Sequence, residues 1–562
     1  MARQFRTKQL QQPRLRLILP DPFYYLSNFE TVIASLDARY ADLWSDEERQ
    51  FLAAFKELPK ASRALLVRMV MRAGTMFRAS RLTYPEIGET AVAVAPLISL
   101  GWVDDEPKLD ACKLQGLITK TELLQSFAWI WPFRNLHKSD LVAMLQGQCP
   151  QSKSFQTWCR QSTDRVYHLR VAPLCERLRL MFFGHFHQDW SAFVLRDLGI
   201  VRYEEVPSAL ESRPFGCRAH VDAFEQLYLC GRMLDTGVAW DQVVAAMPEP
   251  IAGSDWLEGQ RQKLLLQVGQ AVERAGNATA ALAVYSTCSH RGALVRRIRL
   301  LERAQERETA RDLCVRGIGT SENEELEQLG RLLSRLNRKL GVTGKVPRKS
   351  TAVPTFEIVR HQPDNDMAVE YCALHHLKQT AQGHSTVHYV ENGLVNSLFG
   401  LLCWKAIFAP IPGAFFHDFQ FGPADLASAD FHERRRREFA ECLAQLETGV
   451  YQSTIRRTFT EKAGIQSPFV AWRLSKTLLE SAMACIPAAH LKVWFEWILR
   501  DVSVNRAGFP DLVQFWPLER RYRMIEVKGP GDRLQDNQRR LLEHCVSHAM
   551  PVEVCHVRWA EG

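Results

Sequence analysis

The stretch from Gly508 to Gly529 constrains the chain most. It reads as two short strands, Leu512–Trp516 and Tyr522–Val527, with charged residues marking a turn between them. Pro510 punctuates the start of the first strand, and Gly529-Pro530-Gly531 breaks the second. Side chains alternate along a strand, so Met524, Glu526 and Lys528 share one face. Asp511 stands at the head of the neighbouring strand, so a hairpin gathers two carboxylates and one ammonium. Glu526 and Lys528 flank Val527 in an otherwise apolar strand, where charges without partners are costly.

Two readings of this pattern stand side by side. One is an ordinary hairpin with a Glu–Lys pair on a wet face. The other is a metal-dependent phosphodiester hydrolase site, with the carboxylates holding Mg²⁺ or Mn²⁺, one ion or two, and the lysine acting on a water or on developing charge. The run Pro-Asp … Glu-Val-Lys-Gly-Pro-Gly-Asp-Arg-Leu, followed by Gln538, resembles the virus-type replication-repair nuclease domain of the PD-(D/E)xK superfamily. With the long helical region upstream, the chain is similar to the Fanconi-anaemia-associated nucleases, in a bacterial version. The specific part of the resemblance runs from about Val369 to the C-terminus.

Among 562 residues, 46% are hydrophobic and 24% charged, ordinary for a globular protein of several domains. The net charge of +8 permits a polyanionic partner without demanding one. The fourteen cysteines are scattered and form no C-x-x-C pair, so neither a zinc site nor a disulfide framework is expected. Met1 to Ile18 is basic without an apolar core and is not expected to be a secretory signal. No run of about 18 apolar residues predicts a membrane span. A cytoplasmic, nucleoid-associated protein is expected.

Five regions follow in order: a helical N-terminal domain over 1–110, a DNA-binding region over 111–222, helical repeats over 223–340, a linker over 341–355 and an α/β domain over 356–562. Asn28 to Leu58 is helix-rich, with Phe29, Val32, Ile33 and Leu36 at helical spacing. A second helix is predicted from Ala61 to Ala79. Its Arg63, Arg68, Arg72 and Arg78, with Arg81 nearby, read equally as a solvated face or a phosphate-contacting surface. Lys120–Leu124 and Lys138–Val142 each look like a helix start, separated by Trp129, Trp131 and Pro132. They are similar to the helix–extended–helix SAP motif, although two ordinary capped helices fit the same residues. Arg274-Ala275-x5-Ala281 recurs as Arg303-Ala304-x5-Ala310, which suggests stacked helical hairpins of tetratricopeptide type. Arg296, Arg297 and Arg299 crowd beside Arg303. Gly341 to Thr355 has linker composition.

In the α/β domain, helices are predicted over Asp364–Gln382 and from Glu391 through Phe408. Glu391, Leu394, Val395, Leu398 and Leu402 fall on one helical face. Spacing alone favours Glu391 as a charge serving the helix dipole. The resemblance instead makes the glutamate ahead of Ser397–Leu402 a member of the metal site, with Glu370 as the fallback. Arg434 to Arg437 reads as a solvated face or a backbone-tracking one. A helix over Leu534–Ala549 and a strand over Val552–Trp559 complete an αβββαβ order that matches the superfamily core.

The resemblance implies that Asp511, Glu526 and the carbonyl of Val527 ligate metal. It also implies that Glu391 serves a second ion or a bridging water, Lys528 positions the nucleophile, and Gln538 orients Lys528 or contacts phosphate. It further implies 5′-flap endonuclease and 5′→3′ exonuclease action on branched or flapped DNA in interstrand-crosslink repair. A junction resolvase and a non-catalytic DNA-binding scaffold are the rival readings. The lack of a Cys/His cluster argues against the ubiquitin-binding zinc finger of eukaryotic relatives.

Overall fold

In a computed structural model the chain divides into two compact units, to Ile200 and from Val201. The structure describes residues 21–184, 190, 201–207, 212–319, 323–342, 352–361, 367–381 and 385–560. The N-terminal arm, most of the 341–355 linker and the start of the helix expected at Asp364 lie outside the described residues.

The first unit packs the helices Tyr24–Tyr40, Asp46–Glu57 and Lys60–Val70 beside a three-stranded sheet. Phe29, Val32, Ile33 and Leu36 are buried, as their spacing predicts. A reciprocal capping box between Ser45 and Glu48 starts the second helix. The helix predicted to reach Ala79 ends at Val70, and Met76–Arg78 is strand β1. β1 pairs antiparallel with β3 (Val166–Leu169), which also pairs with β2 (Val103–Asp104). Three of the five arginines in this stretch are held by carboxylates, while Arg72 and Arg81 stay exposed, Arg72 bonding the Arg81 carbonyl. Arg63 pairs with Glu30, Arg68 with Glu86, and Arg78 with both Glu122 and Asp164. Carboxylates distant in sequence claimed them, which helical spacing does not reveal.

The paired helices are Lys120–Ser126 and Lys138–Gln148. Thr119, just ahead of the expected start, caps the first, in a box with Glu122. The second has no side-chain cap, and a 3₁₀ turn over Ala128–Phe133 replaces the extended connection expected of the motif.

In the second unit successive helices pack from Asp255–Arg274 through Ala278–Thr287, Ala293–Arg303 and Arg307–Ile318 to Asn323–Lys339. The repeated alanines Ala281 and Ala310 are both fully buried where these helices touch. Arg296 and Arg303 converge on Glu273, leaving Arg299 exposed.

The α/β domain opens on a strand that periodicity missed, β4 (Thr355–Arg360). The sheet runs β4-β8-β7-β6-β5, with β5 at Thr386–Tyr389, β6 at Leu512–Trp516, β7 at Arg521–Lys528 and β8 at Val552–Trp559. β5, β6 and β7 pair antiparallel, and β8 lies parallel between β7 and β4. The helix Val369–Gln379 covers one face through Ala373, Leu374 and Leu377, against Leu512, Ile525 and Val527. Trp494, Phe495, Leu541 and Leu542 cover the other face, against Val513 and Met524. Helices between residues 436 and 500 form an insertion ahead of β6 that the αβββαβ order did not anticipate. At its start the arginine run is half structural: Arg435 is fully buried and bidentate to Asp425, which Arg434 shares, while Arg437 is exposed. Among the described residues, no helix is long and apolar enough to cross a membrane.

Candidate active site

The hairpin register sets the site. Leu512 lies opposite Ile525 and Val513 opposite Met524, so one step further Asp511 falls opposite Glu526. Asp511 accepts the Val527 amide on Oδ2 at 2.9 Å. Glu526 is fully buried, and its Oε1 takes Lys528 Nζ at 2.8 Å and Gln538 Nε2 at 2.6 Å. Lys528 also donates to Gln538 Oε1 at 3.1 Å. Glu526, Lys528 and Gln538 therefore close a triangle in which Gln538 holds both charged groups. The wet-face reading fails here, because Glu526 is fully buried and Lys528 is only 8% exposed.

Gln538 is itself fixed by its helix. Its side chain accepts the Gln535 amide at 2.9 Å in a capping box at the start of Asp536–Ser547. The chain entering β6 leans on that first turn: Gly508 has φ +92°, and a Cβ there would lie 3.1 Å from the Gln538 amide nitrogen. Only glycine accepts both the left-handed backbone and the close approach.

Glu391 does not lie on the helix expected to carry it. The helix begins at Gly393 and breaks at Cys403, short of Phe408. Glu391 precedes the Asn392 cap with φ +40°, a strained value for a non-glycine residue. The carbonyl of Asp511 accepts both the Val390 amide at 2.8 Å and the Glu391 amide at 3.0 Å, stapling the end of β5 to the head of β6. The leucines once grouped with Glu391 are buried as expected. The glutamate reaches Asp511 by backbone pairing and not by helical phase.

Tyr389 was missed. Its hydroxyl donates to Glu391 Oε2 at 2.8 Å, and its ring stacks on Tyr371 at 5.3 Å. The signal was present, since Tyr389 precedes Glu391 by two positions at the end of a strand.

Burial drives the electrostatics. Desolvation pushes the Asp511 carboxyl up to about 6, although the Val527 amide opposes it, and the charges of Glu370 and Glu391 add to the rise. Desolvation, then the charge of Asp511, pushes Glu526 up to about 7 against the pull of Lys528. Burial and the Glu391 contact raise Tyr389, keeping it a hydrogen-bond donor. Four carboxylates thus repel one another with one lysine among them.

Among the described residues no three His, Cys, Asp or Glu side chains stand as a ready metal cage. The donor set still fits a hard divalent cation. Glu526 Oε2 is buried without a hydrogen-bond partner, and the carboxylates hold more negative charge than Lys528 offsets.

Three family models match the chain: "FAN1, HTH domain" over residues 23–104, "Fanconi anemia-associated nuclease SAP domain" over 109–158 and "VRR-NUC domain" over 446–559. The first covers a region read from sequence only as helical, and the second favours the SAP reading over two unrelated capped helices. A Fanconi-associated nuclease 1 homolog of Pseudomonas aeruginosa is 50% identical over 543 residues, spanning 96% of this chain and 97% of that protein. A homolog of Oryza sativa is 25% identical over 619 residues, spanning 96% of this chain and 63% of its own. A crystal structure described as paFAN1 bound to 2nt 5'flap DNA with gap matches with a TM-score of 0.90 at 50% identity, covering 97% of this chain and 100% of that one. With a half-identical relative matched along nearly the whole of both chains, and the paired carboxylates and lysine held together, the chain belongs to the Fanconi-associated nuclease 1 family.

Proposed function

We propose that this protein is a divalent-metal-dependent, structure-selective DNA nuclease with 5′-flap endonuclease and 5′→3′ exonuclease activity, serving interstrand-crosslink repair. One observation carries the reading: Asp511, Glu526 and Lys528 are buried together, with Glu526 Oε2 left without a partner. The relative captured on 5′-flap DNA supports the choice of substrate.

Asp511, Glu526 and the Val527 carbonyl would hold Mg²⁺ or Mn²⁺, with Glu391 serving a second ion or a bridging water. When bound, the ion lowers the pKa of a coordinated water and offsets charge on the phosphoryl transition state. Lys528 Nζ, held by Glu526 and Gln538, orients the attacking water and faces the developing charge. Tyr389 holds Glu391 through Oε2. The low-dielectric surroundings that raise Asp511 and Glu526 strengthen each of these interactions.

The test is digestion of 5′-flap, splayed-arm and four-way-junction DNAs with Mg²⁺, with Mn²⁺ and with EDTA. Flap cleavage in metal and none in EDTA is expected. Lys528→Ala should turn over at least about 10²-fold more slowly, with DNA affinity little changed. Full cleavage in EDTA would remove the metal site, and preferential cutting of the junction would favour a resolvase.

A further inference from the structure

The first turn of the helix Val369–Gln379 carries a ring that the core does not use. Ala373, Leu374 and Leu377 are buried against the sheet, whereas Tyr371 is 46% exposed. That turn lies beside the nuclease site. Glu370, one residue earlier, is close enough for its charge to raise both Asp511 and Glu526. Val369 fixes the turn to the end of β7, since a Cβ on Gly529, the residue after Lys528, would lie 3.4 Å from it. Tyr371 therefore stands in water next to the carboxylates.

The ring is held in a set orientation. It stacks on Tyr389, with centroids 5.3 Å apart and planes 23° from parallel. Tyr389 is anchored in turn, by its hydroxyl on Glu391 Oε2 and by packing against the sheet core. With one face of Tyr371 on Tyr389, its exposed area is the other face and the ring edge.

The charge of the pocket shows what such a ring supplies. Asp511, Glu526, Glu391 and Glu370 repel a polyanion, and Lys528 is already bonded to Glu526. A bound metal attracts the scissile phosphate but does not fix the nucleotide that carries it. A flat uncharged ring can, because every base has a π-face and stacking tolerates any sequence. It also orients the reacting group, which lowers the barrier to an in-line attack. A base inside a duplex has both faces covered, so the ring takes a base that has left its stack.

We infer that Tyr371, backed by Tyr389, is a substrate-positioning residue whose open face stacks on the unstacked base of a nucleotide beside the scissile phosphate. The inference rests on the nuclease reading above and deepens it, by giving a base as well as a phosphate a fixed place at the site.

Two readouts test it. In the first, the cut in a 5′-flap DNA is mapped with wild type in Mg²⁺. Single-turnover rates are then measured on that DNA and on copies with one abasic nucleotide on either side of the cut. Tyr371→Ala should slow cleavage of the intact DNA about tenfold. One abasic placement should slow wild type by a similar factor and slow Tyr371→Ala no further. Tyr371→Phe should keep most of the rate. Tyr371→Ala should leave the Mn²⁺ dependence of cleavage unmoved, whereas Tyr389→Phe, which removes the hydroxyl on Glu391, should shift it. Losses from Tyr371→Ala and from both abasic placements that simply multiply would overturn the inference. So would a Tyr371→Ala protein that only reproduces the Mn²⁺ shift of Tyr389→Phe, since the ring would then serve Glu391 alone. The second readout needs no cleavage. 2-Aminopurine is placed singly at positions across the flap junction, and its fluorescence is read with the slow Lys528→Ala protein in Mg²⁺. At one position it should be quenched, and Lys528→Ala/Tyr371→Ala should relieve the quenching; equal fluorescence at every position overturns the stack. A protein that quenches through Tyr371 while wild type never cuts overturns the nuclease reading and leaves the stack standing.

Discussion

Replacing Asp511 with Asn should make the metal-free protein more stable while destroying its activity. In the fold, burial and the neighbouring charges raise Asp511 from an ordinary 3.8 to about 6. Two pKa units correspond to about 3 kcal/mol by which the fold disfavours the ionised form. The sign follows from proton binding. Between about pH 4 and pH 6 the folded protein keeps a proton that the unfolded chain has released, so stability falls as pH rises through that window and is level above it. Asn cannot ionise, and its side-chain oxygen can still accept the Val527 amide that now bonds Oδ2. The unit from Val201 holds roughly 360 residues. At an unfolding entropy of about 2.1 cal/mol/K per residue, ~3 kcal/mol becomes a rise in Tm of ~4 °C. The assay is thermal melting of both proteins in EDTA from pH 4 to pH 8. The advantage of Asp511→Asn should be absent near pH 4 and full at pH 8. Millimolar Mn²⁺ should then raise the wild type at pH 8 and close the gap. An Asn variant that melts no higher at pH 8, or whose gain is the same at pH 4, would refute the argument from buried charge.

Three further outcomes are expected. Glu391→Gln should keep its fold but shift the Mn²⁺ dependence of cleavage to higher concentration and lower the maximum; superimposable titrations of the two proteins would leave Glu370 as the next carboxylate to replace. Gln538→Ala removes the group that bonds both Glu526 and Lys528, and should slow turnover about tenfold while costing about 1 kcal/mol of stability; unchanged single-turnover rates would show that it is dispensable. Gly508→Ala forces a Cβ toward the backbone of Asn537 and Gln538 from a left-handed conformation, and should lower stability by about 1–3 kcal/mol and activity with it, read by melting and flap cleavage.

The hairpin was legible because alternation is a local rule. Asp511, Glu526 and Lys528 could be brought together from residue order alone, and β8 was bounded correctly by its apolar alternation. Glu391 was legible only through family resemblance. It joins Asp511 by backbone hydrogen bonds across more than a hundred residues of insertion, a relation that no periodicity encodes. Strand β4 escaped because its alternation is faint, with only Ile358 buried, and its partner lies at the far end of the domain. Arg63, Arg68 and Arg78 of the first unit, and Arg434 and Arg435, escaped for a related reason. A charge run looks solvated until the carboxylate that folds onto it is known, and Asp425, Glu86 and Asp164 come from other elements.

The position of β8 bears on the order of assembly. It is the last strand in sequence, yet it sits between β7 and β4, with Thr355 opposite Val554. Strands β6 and β7 form a local hairpin and β8 pairs with β7 a short way along the chain, so Asp511 and Glu526 can meet early. The contact that closes the sheet spans nearly two hundred residues and is entropically slow to form. The contacts that bring Glu391 to Asp511 are also remote in sequence, with Tyr389 facing Leu512, and until they form the pocket lacks one of its carboxylates. Competence to cut is then a late kinetic event, reserved for finished molecules. In refolding experiments Mn²⁺-dependent cleavage should lag behind the recovery of helical circular dichroism, and simultaneous recovery would show that the pocket matures before the sheet is closed.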